Sequence, residues 1–301
     1  MKKILLASTL AASLFANDNF IELGFGFLKS KDNFSTEQNK NISTLANAEE
    51  ESQTIPYFDL YYAYKLNNMS NIYLNAGVEG LRLGSEIETG IGFFDIGLKA
   101  DLMGEEWENP FLTGTNRKET DTKEVGAYIG YGLSFAQNHE AMIKYEYSNK
   151  TYDKETVANE LKREGNRHII SLENMFFTQA FNNKTALLTN LNYEMYKADG
   201  KASTYNRYDL ELGISTDLSS NLNLTTMING GKKDYDSVNP IFNKTVDASI
   251  YGVKAILKYD KPFSYKNTYV TLKAGYEKED ANVDFYDKED TFAVATFGYK
   301  F

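Results

Sequence analysis

Residues 291–301 read T-F-A-V-A-T-F-G-Y-K-F. Successive side chains of a strand point to opposite faces. Ala293, Ala295, Phe297, Tyr299 and Phe301 therefore share one face, while Thr296, Gly298 and Lys300 share the other. One face is apolar and tipped with aromatics; the other is mixed and carries a lysine. A strand surrounded by water gains little from exposed aromatics, whereas a strand with one face in lipid uses them. The pattern predicts Phe297, Tyr299 and Phe301 facing outward, with Thr296 and Lys300 facing inward.

The same alternation recurs upstream. Residues 19–29 set Ile21, Leu23, Phe25 and Phe27 against Glu22, Gly24 and Gly26. Residues 125–135 set Val125, Ala127, Ile129, Tyr131, Leu133 and Phe135 against Gly126, Tyr128, Gly130, Gly132 and Ser134. Connections alternate in length. Short turns are expected near 67–70, 137–140, 180–184, 217–221 and 260–266. Long polar loops are expected at 30–53, 104–123, 150–166, 197–204, 230–245 and 278–290. Strands of about ten residues suit a tilted crossing of an outer membrane. The expectation is an all-β fold, a transmembrane up-and-down antiparallel β-barrel with short periplasmic turns and long extracellular loops. Fourteen strands are counted, with twelve as the alternative because residues 79–95 divide ambiguously.

Composition narrows the class. The 301 residues include 22 Tyr, 19 Phe, one Trp and no Cys. The lack of cysteine removes disulfides, thiolate metal sites, Cys nucleophiles and a lipidated N-terminal Cys. Lys2 and Lys3, followed by the mostly apolar 4–15 and then Ala16, read as a secretory signal peptide over residues 1–16. Residues 17–301 then form a single barrel domain. No later window is continuously apolar, which excludes a helical inner-membrane protein. The mean hydropathy of -0.47 fits a barrel whose lumen and loops are polar. Loss of Lys2 and Lys3 takes the net charge from -10 to -12. An acidic chain is a poor nucleic-acid binder.

Two resemblances follow from these residues. The closing stretch resembles the C-terminal strand of bacterial outer-membrane barrels, which is read by the barrel-assembly machinery, although Thr296 stands where that signal often has Gly. Four further stretches are Glu106 to Gly114 (E-W-E-N-P-F-L-T-G), Ala198 to Lys201 (A-D-G-K), Asn239 to Thr245 (N-P-I-F-N-K-T) and Asn282 to Asp287 (N-V-D-F-Y-D). Together they resemble an uncharacterised family of Gram-negative outer-membrane barrels, named only as a domain of unknown function. That resemblance implies an outer-membrane location with lipid and lipopolysaccharide as neighbours. It implies no activity.

All four stretches fall in expected outer loops. Trp107, Asn109, Pro110, Asn239, Pro240, Ile241, Phe242 and Asn243 are the loop-motif residues, since Asn-Pro initiates turns. Such a loop either packs on its neighbours and shields the mouth, or folds into the lumen as a constriction. The expected inward charges are Glu22, Asp59, Glu86, Glu88, Asp95, Lys99, Asp101, Lys144, Glu146, Glu194, Arg207, Asp209, Glu211, Lys254, Lys258 and Lys273. They either cross-link a filled lumen or line a water-filled pore. The sequence reading is a small porin-like channel for passive diffusion of ions or small polar solutes. The alternative is a closed barrel acting through its outer loops. A rim hydrolase using His168 near Ser171 is a third reading, but three residues apart on a strand point to opposite faces. No cofactor, metal or catalytic residue is assigned.

Overall fold

The computed structural model describes residues 19–78, 80–136, 138–180 and 183–301. The expected signal peptide lies outside the described residues. The strands are β1 (Phe20–Asp32), β2 (Glu51–Asn67), β3 (Ser70–Gly77), β4 (Gly80–Glu88), β5 (Phe93–Trp107), β6 (Glu119–Ala136) and β7 (His139–Tyr152). They continue as β8 (Gly165–Ala180), β9 (Asn183–Ala198), β10 (Tyr205–Ser219), β11 (Leu222–Asn239), β12 (Lys244–Asp260), β13 (Thr268–Ala281) and β14 (Lys288–Lys300). Each pairs antiparallel with its sequence neighbours, and β14 pairs with β1, so the sheet closes into a barrel of fourteen strands. Twelve is ruled out because Gly80–Glu88 and Phe93–Trp107 form two separate strands, β4 and β5.

Closure leaves no free strand running the length of the sheet, which lipid demands, since unpaired backbone in hydrocarbon costs several kcal/mol per group. The outer wall carries the apolar alternates. Phe25 is 72% exposed, while Glu22 on the opposite face is 6% exposed. Phe297, Tyr299 and Phe301 face outward and Thr296 is buried inside.

The strands run further than the hydrophobic pattern suggests. Residues 230–245 are not a long loop: β11 continues to Asn239 and β12 begins at Lys244, leaving a turn of 240–243. Similar extensions shorten the expected loops at 30–53, 104–123, 150–166 and 278–290. The physical reason is that strand pairing persists above the lipid, where the outward face has no need to be apolar. Lys232 and Asp234 point out there and pair with each other at 2.8 Å, while Lys233 is buried between them. Alternation of hydrophobicity vanishes although the strand does not. One outer connection is an exception of the opposite kind: the β3–β4 pairing ends at Gly77 and Gly80, far below the tips of β2 and β5.

Candidate functional site

The inward side chains form layers. Near the periplasmic end beneath β8, β9 and β11, Met175, Leu188 and Met227 are buried and apolar. Across the barrel, Leu28, Tyr57, Phe292 and Val294 make a second apolar patch with Ile55 and Val78. Between them lies a cavity of about 260 Å³. Its wall carries Arg82, Lys99, Lys144, Arg167, Arg207 and Lys254 against Asp101, Glu124, Glu146, Glu173, Glu194, Asp209, Glu211 and Glu277.

All six cations are paired with carboxylates. Glu146 accepts from Arg82 at 3.2 Å and Lys99 at 2.7 Å, and Lys144 lies 3.0 Å away. Arg207 grips Asp209 through two bonds, of 2.7 and 3.0 Å, which two residues on one strand face can do. Arg167 sits 3.3 Å from Glu194, and Lys254 sits 3.5 Å from Glu211. A charge taken from water costs several kcal/mol unless a partner compensates, so pairing is what lets this many charges share one lumen. Two acceptors are left over: Asn190 and Asn229 each bury a side-chain oxygen with no hydrogen-bond partner.

Of the inward charges expected from sequence, Lys99, Asp101, Lys144, Glu146, Glu194, Arg207, Asp209, Glu211 and Lys254 lie on the cavity wall. The others do not. Glu22 is held by Lys273 at 2.8 Å, Thr296 at 2.7 Å and Tyr269 at 3.1 Å. Lys273 also donates to the Tyr57 hydroxyl at 2.6 Å. Asp95 accepts from Tyr73, which also bonds Tyr128, both at 2.6 Å. Asp59 and Glu86 accept from Asn75 and Asn71, Lys258 rests over the Tyr269 ring, and Glu88 is exposed at the end of β4. Glu124, Arg167, Glu173 and Glu277 are wall residues missing from that expectation. The parity that finds Glu146 also finds Glu173 and Arg167, both of which lie within β8.

Glycine makes room for the tyrosines. A Cβ on Gly84 would meet the Tyr128 hydroxyl at 2.3 Å and the Tyr73 ring at 2.6 Å. A Cβ on Gly298 would strike the Tyr269 ring at 2.1 Å.

Above the cavity, Tyr196, Tyr205, Tyr235 and Tyr286 follow one another with ring centroids 5.3 to 5.5 Å apart. Arg167 lies over Tyr196 and Lys233 over Tyr205, contacts that suit cation–π attraction. This arc leads into a cap. Val246, Val283, Phe285 and Tyr286 are buried, with Phe34, Ile42, Leu45, Phe111 and Phe242 packed on them. Phe285 touches Phe111 at 5.3 Å and Phe242 at 5.7 Å between ring centres.

The loop-motif residues build this cap. Asn109 and Asn239 each accept the backbone N–H two residues on, at 3.0 and 2.9 Å, across Pro110 and Pro240. Each Asn-Pro thus bends the chain so that the following aromatic reaches inward, Phe111 directly and Phe242 one residue later. Ile241 stays exposed, and Asn243 takes the left-handed φ of 51° that closes the turn. Asn239 also donates to the Tyr286 hydroxyl at 2.8 Å. Trp107 is fully buried and donates to the carbonyl of Ser35 at 3.0 Å. Arg117 lies 4.3 Å over the Trp107 ring and donates to the carbonyls of Asn33, Pro110 and Asn39. Burial pulls the Arg117 pKa down to about 10, against the opposing pull of Asp32. Through these residues the outer loops pack on one another.

His168 faces outward, its Nδ1 2.8 Å from the Tyr145 hydroxyl, while Ser171 lines the cavity. The two do not meet. His139 stacks on Phe135 at the inner end of β7. Among the described residues no cluster of His, Cys, Asp or Glu has the arrangement of a metal site.

Solved structures share this architecture at low identity. A FadL homologue of Pseudomonas aeruginosa is 9% identical with a TM-score of 0.54, covering 95% of this chain and 91% of that one. The deltaS2 mutant of the TodX monoaromatic hydrocarbon channel is 12% identical with a TM-score of 0.51, covering 94% and 90%. The CymD monoaromatic hydrocarbon channel is 8% identical with a TM-score of 0.50, covering 94% and 89%. No curated protein matches the sequence. The family described as "Protein of unknown function (DUF2860)" matches residues 18–300, and the chain, an outer-membrane β-barrel, belongs to it.

Proposed function

We propose that this barrel is a narrow outer-membrane channel for passive diffusion of ions or small polar solutes. The cavity carries the reading. Its wall presents both signs of charge and the unpartnered oxygens of Asn190 and Asn229. Buried acceptors without donors are rare in folded proteins. Here they give a passing solute's N–H or O–H groups a place to bond. Interleaved ion pairs favour solutes that carry donors and acceptors of both kinds over simple anions. Barrels of similar fold include proteins named as channels.

The packed cap favours a second reading, a barrel with a closed lumen that acts through its outer surface. Planar-bilayer recording of the folded protein separates the two. Discrete conductance steps are expected. Their absence, with folding verified by heat-dependent gel mobility, would overturn the channel and leave the surface reading.

A further inference from the structure

The barrel wall has a notch. Residues 51–58 of β2 pair with β1 alone, because pairing with β3 starts only at Asp59. Residues 101–107 of β5 pair with β6 alone, because pairing with β4 stops at Ala100. Between them the short β3–β4 hairpin stops at the Gly77–Gly80 pair. Three interstrand spacings separate β2 from β5, so the gap is about 14 Å between strand axes. Seven or eight residues along each jamb correspond to about 25 Å of strand. Pro56 sits in the jamb of β2, and a proline inside a strand is tolerated where one edge is unpaired.

The notch straddles the top of the lipid-facing band. Outward side chains on the jambs run from Phe58 and Leu102, both exposed and apolar, to the polar Thr54, Ser52 and Glu105. A lintel closes it above. Residues 33–50 cross from β1 to the β5–β6 loop, where Thr36 bonds Glu105 at 3.3 Å and Ile42 bridges Thr113. Inside, the opening is flanked by two different surfaces. Ile55 and Val78 belong to the apolar patch of Leu28, Tyr57, Phe292 and Val294. Ala100 and Asp101, at the sill, line the charged cavity. Unpaired backbone at lipid depth is tolerated only beside a wet or protein-lined space, and this cavity is such a space.

We infer that the notch is a lateral port, through which a single-chain amphiphile passes between the lumen and the outer leaflet. Its tail lies on the apolar patch at Ile55 and Val78, and its polar head reaches the charged cavity wall beyond Ala100, where the cations Arg82 and Lys99 lie. The inference goes beyond the channel reading and is tested without measuring current.

The chain contains no cysteine, so single-cysteine variants need no background changes. Ile55→Cys and Val78→Cys at the port, Lys232→Cys on the outward face above the lipid, and Phe25→Cys on the lipid face would each carry a bimane label. Two quenchers are added to proteoliposomes: a phospholipid with a nitroxide on its acyl chain, and nitroxide-labelled stearate. Bimane at 25 should be quenched by both and bimane at 232 by neither. Bimane at 55 and at 78 should be quenched at least twofold more by the stearate than by the phospholipid, relative to position 25. Protection at 55 and 78 equal to that at 232 would overturn the port. Equal quenching by both lipids would overturn the assignment to a single-chain amphiphile. The second port position keeps the test standing if one variant does not assemble. Conductance without lipid access would sink the port alone, and lipid access without conductance would sink the channel alone.

Discussion

Thr296 donates its hydroxyl to Glu22 at 2.7 Å across the seam where the last strand meets the first. The residue that departs from the usual closing signal therefore performs a structural task inside the barrel. Glu22 in turn compensates Lys273. Thr296→Val should assemble normally and lose about 1.5 to 3 kcal/mol of stability, the value of a hydrogen bond to a charged group. Glu22→Ala strands a buried lysine and should lose about 3 to 5 kcal/mol. Urea unfolding of the purified barrel, followed by gel mobility, measures both; equal losses would refute the hierarchy.

Phe301 works on the other face. Its N–H bonds the carbonyl of Asn19 at 2.9 Å, and its ring lies 6.3 Å from both Tyr299 and Tyr62. Deleting it should lower the yield of assembled barrel in cells severalfold, far more than Thr296→Val does. Heat-modifiable protein in outer-membrane fractions is the readout, and normal assembly would contradict the outward assignment.

Glu146 is the carboxylate around which three cations gather. In Glu146→Gln the cations Arg82, Lys99 and Lys144 keep their charge and lose its counterweight. One unit charge about 10 Å from a passing ion, at an effective dielectric of about 20, is worth about 1.7 kcal/mol before screening. Reversal potentials in a salt gradient should therefore shift toward anions by up to about tenfold in permeability ratio. Raising the salt should shrink that shift. An unchanged ratio would remove this cluster from the conducting path.

Arg117 ties three loop carbonyls and the Trp107 ring into one unit. Arg117→Met keeps the bulk but leaves those carbonyls without their donor, at a cost of about 2 to 4 kcal/mol. Because the barrel below is independently paired, the loss should appear locally. Hydrogen exchange over residues 33–50 should speed up while β8 to β12 stay protected. Uniform exchange would argue that the cap is not a separate packing unit.

The sequence disclosed the barrel wherever one face of a strand meets lipid, because there the two-residue period is written in hydrophobicity. Phe25 against Gly26 and Phe297 against Thr296 are legible for this reason. Above the lipid the signal disappears, so the upper halves of β11 and β12 looked like loop although Lys233 and Val246 are buried. Inward charges such as Glu146 were legible from parity. Their division between the cavity wall and the Tyr73, Tyr128 and Tyr269 networks was not, because that depends on which side chains meet across the barrel. The notch was concealed for a similar reason: it is a difference in height between β3–β4 and its neighbours, and height is set by pairing.

The cap of Phe34, Phe111, Phe242 and Phe285 draws its parts from segments up to 251 positions apart in the chain. Here the residues that shape the outward surface exist together only after the barrel has closed. Sera raised against peptides from this rim should bind denatured protein and fail on intact cells, whereas sera raised against folded protein should show the reverse. A vaccine or detection reagent aimed at this surface would have to present the whole barrel.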